Sequence, residues 1–330
     1  MQNGSPLVKV VALWVAALMA VAVAGILSVA WVNQRVLGPD QLVAEYFDLL
    51  RAGEGGLALG LVGAEVPDGN AILLDGAGLR ASVAPIRDFR IAETDLLGEG
   101  HAAVTSTYSV DGEEYRTVFR LRQSGRDWLF LDRWAFETPE LPALRVSADT
   151  TSEVTVNGIE SPLAKGAQHL PLLLPAVVQA GYEDKYFEAE PKTRVVDAAA
   201  TAQREPLDLV TQPTRRLVED IDRQIRAYVD GCAEQQVLKP AGCPLTYDTN
   251  ARVAADTIDW DITEYPSAQV GAYDGGWVLR PLEVGTTLTL EEQDLMTGFT
   301  EEKTITESFG FTATLDVDAR TVRVTPAAGD

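Results

Sequence analysis

Only two histidines and two cysteines occur in 330 residues, and 27 Lys and Arg stand against 49 Asp and Glu. Each shortage removes a class of function. With basic residues this scarce, the surface repels nucleic acid and anionic lipid headgroups, because binding either one rests on neutralising phosphates with Lys and Arg. No nucleic-acid partner is expected. His101 follows Gly98-Glu99-Gly100 and His169 sits among leucines and prolines, and neither stands at a triad or metal spacing, so both read as structural. No G-x-S-x-G, H-E-x-x-H, phosphate-cradling loop or dinucleotide fingerprint occurs. The acid pairs Asp259/Asp261 and Asp316/Asp318 lack the further oxygen ligands and the glycine of a calcium loop. No catalytic residue, metal ligand or cofactor is assigned.

What the chain does have begins with Val10–Val32, a run of 23 residues without a charge. As a helix it spans roughly 35 Å, enough to cross a bilayer with some tilt. Lys9 and Arg35 bracket it, and Trp14 and Trp31 stand near its ends, as interfacial aromatics do. The rival reading is a cleaved signal peptide, with Ser28-Val29-Ala30 as a small-x-small site. The run, however, exceeds the roughly 7 to 15 residues of a signal core. We therefore expect a single-pass protein of the cell membrane, its short N-terminus cytoplasmic and the remainder extracytoplasmic. All 49 acids fall in that remainder. Ala12, Ala16, Ala20, Ala24 and Ser28 recur at every fourth position, and such a ridge of small side chains lets a second helix approach. It makes a homodimer or a membrane complex an open expectation, with chance spacing in an alanine-rich anchor as the alternative.

Cys232 and Cys243 flank a segment containing Pro240 and Gly242. Two such cysteines suit a local disulfide in an oxidising compartment. Two unrelated thiols remain the alternative.

Beyond the anchor the expected class is α+β. Residues 1–37 read as tail and membrane helix, 38–138 as a first α+β block, 139–197 as a small β-sandwich, 198–213 as a linker rich in Ala, Thr, Gln and Pro, and 214–330 as a C-terminal α+β block. In the first block Leu42, Val43, Tyr46, Phe47 and Leu50 fall on one helical stripe. The period then changes to 2, giving four strands over 86–92, 102–110, 114–123 and 127–137, with turns at "VDGEE" and "QSGRD".

The motifs "LVAEYFDLLRAGEGGLALGLV" and "YRTVFRLRQSGRDWLFLDRW" make residues 38–137 resemble the nuclear transport factor 2-like fold, a cone of helices against a bent sheet. That resemblance implies either an enzyme with a carboxylate in the cone, Asp88 or Glu93 serving as general base of a small-molecule hydrolase or isomerase, or a non-catalytic extracytoplasmic module. An enzyme needs an apolar pocket there. A binding module fills the cone with Tyr46, Phe47, Trp128 and Phe130. "VTVNGIESPL" and "AGYEDKYFEAEP" resemble the PEGA-type β-module, which implies surface interaction without catalysis. The helix "RRLVEDIDRQIRAYVDGCA" and the strands after it repeat the order of the first block, so a diverged second copy is an open reading. With its C-x10-CP spacing, this C-terminal block resembles one found in actinobacterial envelope proteins.

One stretch runs against the acidic trend. Arg116, Arg120 and Arg122 alternate with Thr117, Phe119 and Leu121, and Arg133 occupies the matching face of the next strand. They form either a solvated face whose arginines pair with acids such as Glu114, or a docking surface for an acidic protein or a cell-wall component bearing glycan phosphate. The functional expectation is a non-catalytic, membrane-anchored envelope protein that binds such a partner.

Overall fold

The computed structural model describes residues 6–35, 38–127, 131–137, 140–273, 276–318 and 320–327. Trp128 and Phe130, expected in the first core, lie outside the described residues. The chain is mixed α+β. It begins with α1 (Pro6–Arg35), α2 (Pro39–Ala52), α3 (Gly55–Val62) and α4 (Gly76–Val83), and continues with the strands β1 (Arg87–Gly98), β2 (His101–Val110), β3 (Glu113–Asp127) and β4 (Leu131–Phe136). There follow β5 (Ala143–Ala148), β6 (Glu153–Val156), β7 (Ile159–Pro162), β8 (Ala167–Pro171), β9 (Ala176–Glu183) and β10 (Phe187–Val196). The segment read as a linker carries α5 (Ala199–Arg204), β11 (Leu207–Leu209) and β12 (Gln212–Pro213). Last come α6 (Arg215–Ala233), β13 (Arg252–Val253), β14 (Asp259–Glu264), β15 (Val270–Tyr273), β16 (Gly276–Leu279), β17 (Leu282–Gln293), β18 (Thr300–Val317) and β19 (Val322–Ala327).

Two compact units result. The first holds residues 1–147, 153–180 and 191–208; the second holds 148–152, 181–190 and 209–330. Helix α1 is apolar over Val10–Ser28, with a mean hydropathy of 2.7, and every residue in that span is exposed. Among the described residues nothing shields this span from its surroundings, which is consistent with a single membrane pass.

In the first unit, β1 to β4 form an antiparallel meander in chain order. Pro39 starts α2, where a missing N–H costs nothing, and Gly53 ends it at φ 74°, a left-handed conformation glycine adopts without strain. The stripe expected from the sequence is the buried one: Val43, Tyr46, Phe47 and Leu50. These side chains meet the inner face of the meander, where Phe119, Leu121 and Phe136 are buried. Tyr46 lies 5.8 Å from Phe119 and 5.3 Å from Phe136, and Phe47 stacks on Phe89 at 3.7 Å. The same core takes in Leu141, Leu173 and Val177, so residues from both sides of position 138 share it. The Tyr46 hydroxyl donates to the Leu174 carbonyl at 2.8 Å, and burial pushes its phenol far above the ordinary range. Asn70 donates to Ser161 and Gln168, which ties the helical segment to β7 and β8.

Two turn expectations fare differently. Asp111 and Gly112 join β2 to β3 with φ of 50° and 87°, the pair of positive values that a two-residue hairpin with primed turn geometry requires. At "QSGRD" no turn forms. Arg126 pairs with Asp132 and Asp127 with Leu131, while Gly125 sits at a register shift, so the strand continues through the glycine as a bulge. Asn157 and Gly158 form the tight β6–β7 hairpin, at φ of 47° and 81°.

In the second unit Thr214 caps α6 by accepting from the Leu217 N–H at 3.4 Å. Leu217, Ile221, Ile225, Val229 and Cys232 form its buried stripe, against Trp260, Val284, Leu288, Leu290, Phe309 and Phe311. The stretch "GGWVLRPLEV" is divided at Arg280-Pro281: β16 pairs with β15, and β17 pairs with β18. Proline has no N–H to give a ladder, which explains the break. Cys232 and Cys243 are joined by a disulfide, closing the loop that follows α6.

Replacing Phe47 by Ala is expected to cost about 3–5 kcal/mol, and Tyr46→Phe, which orphans the Leu174 carbonyl, about 1–2 kcal/mol, both read from urea unfolding of the full chain in detergent. Cys232→Ser with Cys243→Ser should cost roughly 3 kcal/mol in the chain-entropy account of so short a loop. Alkylation of the denatured, non-reduced native protein should find no free thiol.

Candidate functional site

The arginine face is a product of strand alternation. On β3, Thr117, Phe119 and Leu121 are buried, so Arg116, Val118, Arg120 and Arg122 must point outward, and all four are exposed. Register adds the floor beside them: Arg116 opposes Thr107, Val118 opposes Thr105, Arg120 opposes Ala103 and Arg122 opposes His101 on β2. On the other side Arg122 opposes Ala135. Arg120 and Arg122 stand about 7 Å apart along the strand, and Arg116 about 14 Å from Arg120.

The expected partner of this face is committed elsewhere. Glu114 pairs with Arg90 at 3.1 Å, and Glu137 pairs with the Nε2 of His101 at 3.1 Å. Among the described residues no carboxylate lies within ion-pair reach of Arg116, Arg120 or Arg122. Arg133 is exposed on β4 and is engaged in an interaction of its own, so three of the four expected arginines are free. The Oγ1 of Thr107, opposite Arg116, is buried and has no hydrogen-bond partner. The face holds three exposed guanidinium forks able to donate, in a protein of net charge -22.

The other sequence expectations sit apart from this face or do no chemistry. Asp88 is exposed at φ 51° and accepts from Ser109, and Glu93 is exposed on β1. Neither reaches the interior, which Tyr46, Phe47, Phe89, Tyr108, Phe119 and Phe136 occupy. His169 is exposed on β8. Asp259 and Asp261 flank the buried Trp260 and point outward. Asp318 is consumed by its own turn, accepting from the N–H groups of Arg320 and Thr321 at 2.8 Å, which hold its carboxyl below the usual range. Among the described residues no group of three acidic, histidine or cysteine side chains is placed to hold a metal ion.

A cleft of about 490 Å³ in the first unit had no counterpart in the sequence reading. It brings Asp111, Glu113 and Tyr115 of the β2–β3 hairpin against Arg194, Asp197 and Glu205. Several polar groups there are paired, Tyr115 donating to Glu113, Thr201 to Asp197, and Arg194 pairing with Glu205, while the buried Nε of Arg194 has no hydrogen-bond partner. Residues some 80 positions apart meet only through the fold, so no local motif could have announced them.

On α1, Ala12, Ala16, Ala20, Ala24 and Ser28 follow the helix at four-residue steps and are all exposed. The Ser28 hydroxyl donates to the Ala24 carbonyl at 2.8 Å, which removes the one polar group of the ridge from need of an outside partner. Comparison with known proteins finds no matching family model, curated protein or solved structure.

If the ridge is an interface, Ala16→Leu with Ala20→Leu will weaken association of the helix in a bilayer, while Leu13→Ala, off the ridge, will not. Equal association of the wild type and both variants, read by energy transfer between labelled copies, would assign the helix to anchoring alone.

Proposed function

We propose that this is a non-catalytic, membrane-anchored extracytoplasmic protein that binds an acidic protein or cell-wall component on the outer face of β3. On this reading α1 spans the membrane with its N-terminus in the cytoplasm. Residues 38–138 form a nuclear transport factor 2-like domain and 139–197 a PEGA-like β-module, and the protein is an accessory or scaffold subunit of the envelope. Helices followed by an antiparallel meander, and the Asn157-Gly158 hairpin, support those two assignments.

The observation that carries the function is the set of three free arginines. In a chain with 49 acids, Arg90 and Arg145 find exposed carboxylates, yet Arg116, Arg120 and Arg122 do not. Guanidinium groups left in water at regular strand spacing can meet carboxylates or phosphates bidentately without first breaking an ion pair. The acidic remainder of the surface repels the same ligands, so binding is confined to this face.

Full-length protein in detergent should bind a fluorescent oligoglutamate peptide, or inorganic polyphosphate, with an affinity that falls as salt rises. Changing Arg116, Arg120 and Arg122 together to Gln should weaken that binding at least about tenfold, a loss of about 1.4 kcal/mol. Thermal stability should hardly change, because the three side chains are exposed and unpaired. Equal binding by wild type and variant would overturn the proposal.

A further inference from the structure

The second unit displays the opposite kind of surface. Between β17 and β18 the hairpin tip exposes Leu295, Met296 and Phe299 at 69, 94 and 75% of their areas. An apolar cluster held open to water costs free energy unless something covers it. It is not a loose loop. The Asp294 carboxylate accepts from the N–H groups of Met296 and Thr297 at 2.8 Å, its carbonyl accepts from Gly298 at 2.8 Å, and its own N–H donates to Phe299 at 2.9 Å. Gly298 closes the turn at φ 73°. Backbone donors at Thr297 and Met296 hold the Asp294 carboxyl below its usual range, so the cap is intact at neutral pH.

The stem beneath the tip is acidic on both faces. Glu291 stands directly across from Glu302, and Glu292 from Glu301. Like charges in directly opposed positions destabilise a β-ladder. Only one of the four is neutralised: Lys303 donates to the nearly buried Glu292 at 2.6 Å. Glu291, Glu301 and Glu302 remain exposed around an apolar cap. Such a collar disfavours an anionic bilayer surface, since lipid-binding tips need cations beside the apolar residues. It matches a partner that offers arginines around an apolar contact. The outer face of β3 offers them, with Val118, 52% exposed, between Arg116 and Arg120.

We infer that the β17–β18 tip of one copy docks on the arginine face of a second copy, with Glu291, Glu301 and Glu302 meeting Arg116, Arg120 and Arg122 and the tip side chains covering Val118. This rests on the proposed binding role of that face and names its occupant. Each copy carries one tip and one face, so the contact is head-to-tail and extends into a row or closes into a ring. Anchoring by α1 confines the copies to one plane and raises their effective concentration. At physiological salt the overall repulsion between acidic copies is screened beyond about 8 Å, whereas the short-range contacts at the interface are screened much less.

The test uses full-length chains labelled with donor or acceptor and reconstituted in phosphatidylcholine vesicles, with energy transfer as the readout. Wild type should associate, and less so as salt rises. R116E/R120E/R122E and E291R/E301R/E302R should each associate at least about tenfold more weakly. Mixing the two charge-reversed variants should restore transfer, because the native tip of the first variant meets the native face of the second and the reversed tip meets the reversed face. Leu295→Ser with Met296→Ser and Phe299→Ser should lose association without loss of thermal stability. Absence of wild-type transfer, failure of the mixture to recover, or retention by the tip variants would each overturn the self-docking. So would quenching of Met296→Trp by brominated phosphatidylcholine, which would place the tip in the bilayer. If self-docking fails while oligoglutamate still binds in an arginine-dependent way, the binding role of the face survives. Loss of both removes it.

Discussion

The packing of α2 on the meander is the contact on which the rest of the first unit depends. Tyr46 and Phe47 need apolar partners, and Phe89, Phe119 and Phe136 provide them. Because strand side chains alternate, putting Phe119 inside obliges its neighbours Val118 and Arg120 to face out, and a slip of one residue would bury arginines instead. The desolvation cost of that alternative is several kcal/mol per charge, so the register is strongly determined. The same contact positions the Tyr46 hydroxyl for the Leu174 carbonyl, which joins chain segments 128 positions apart.

Electrostatics gives the second constraint. A chain this acidic has to place many carboxylates beside one another, and the structure deals with them in three ways. Some are used up locally: Asp294 and Asp318 cap turns through backbone N–H groups. Others are paired with a cation, as Asp220 is with Arg223 at 2.8 Å and Glu292 with Lys303 at 2.6 Å. The remainder stay in water, where net charge favours solubility and opposes nonspecific contact. Arg116, Arg120 and Arg122 stand outside this arrangement. Nothing about folding requires them to be free, and it is on their availability that the proposed binding role rests.

The two units depend on different local devices for the same end. In the first, glycines at left-handed positions and the Pro39 start define a helix whose stripe then finds the sheet. In the second, the Thr214 cap and the regular spacing of Leu217, Ile221, Ile225 and Val229 produce a strongly amphipathic α6, and the disulfide at its end restrains the loop that returns toward the strands. The apolar tip belongs to neither core. It is formed by local hydrogen bonds alone, which is why three large side chains can be held in water without a packing partner inside the chain.

What the sequence determined by itself was local. The uncharged run of α1, the buried stripes of α2 and α6, the Asp111-Gly112 and Asn157-Gly158 turns and the alternation on β3 all follow from periodicity and backbone sterics within a few residues. Reading "QSGRD" as a turn went wrong for a reason of the same scale: a glycine with polar neighbours suits a bulge as well as a hairpin, and only pairing with β4 distinguishes them. Tertiary structure decided everything that requires two distant segments to meet. It placed Leu141, Leu173 and Val177 in the core built by α2, gave Glu114 to Arg90 and so left the β3 arginines without it, and gathered Tyr115 with Arg194 and Asp197. Charge and polarity can be counted along a chain, but whether a charge is paired depends on distance in space, and that is set only once the cores have closed.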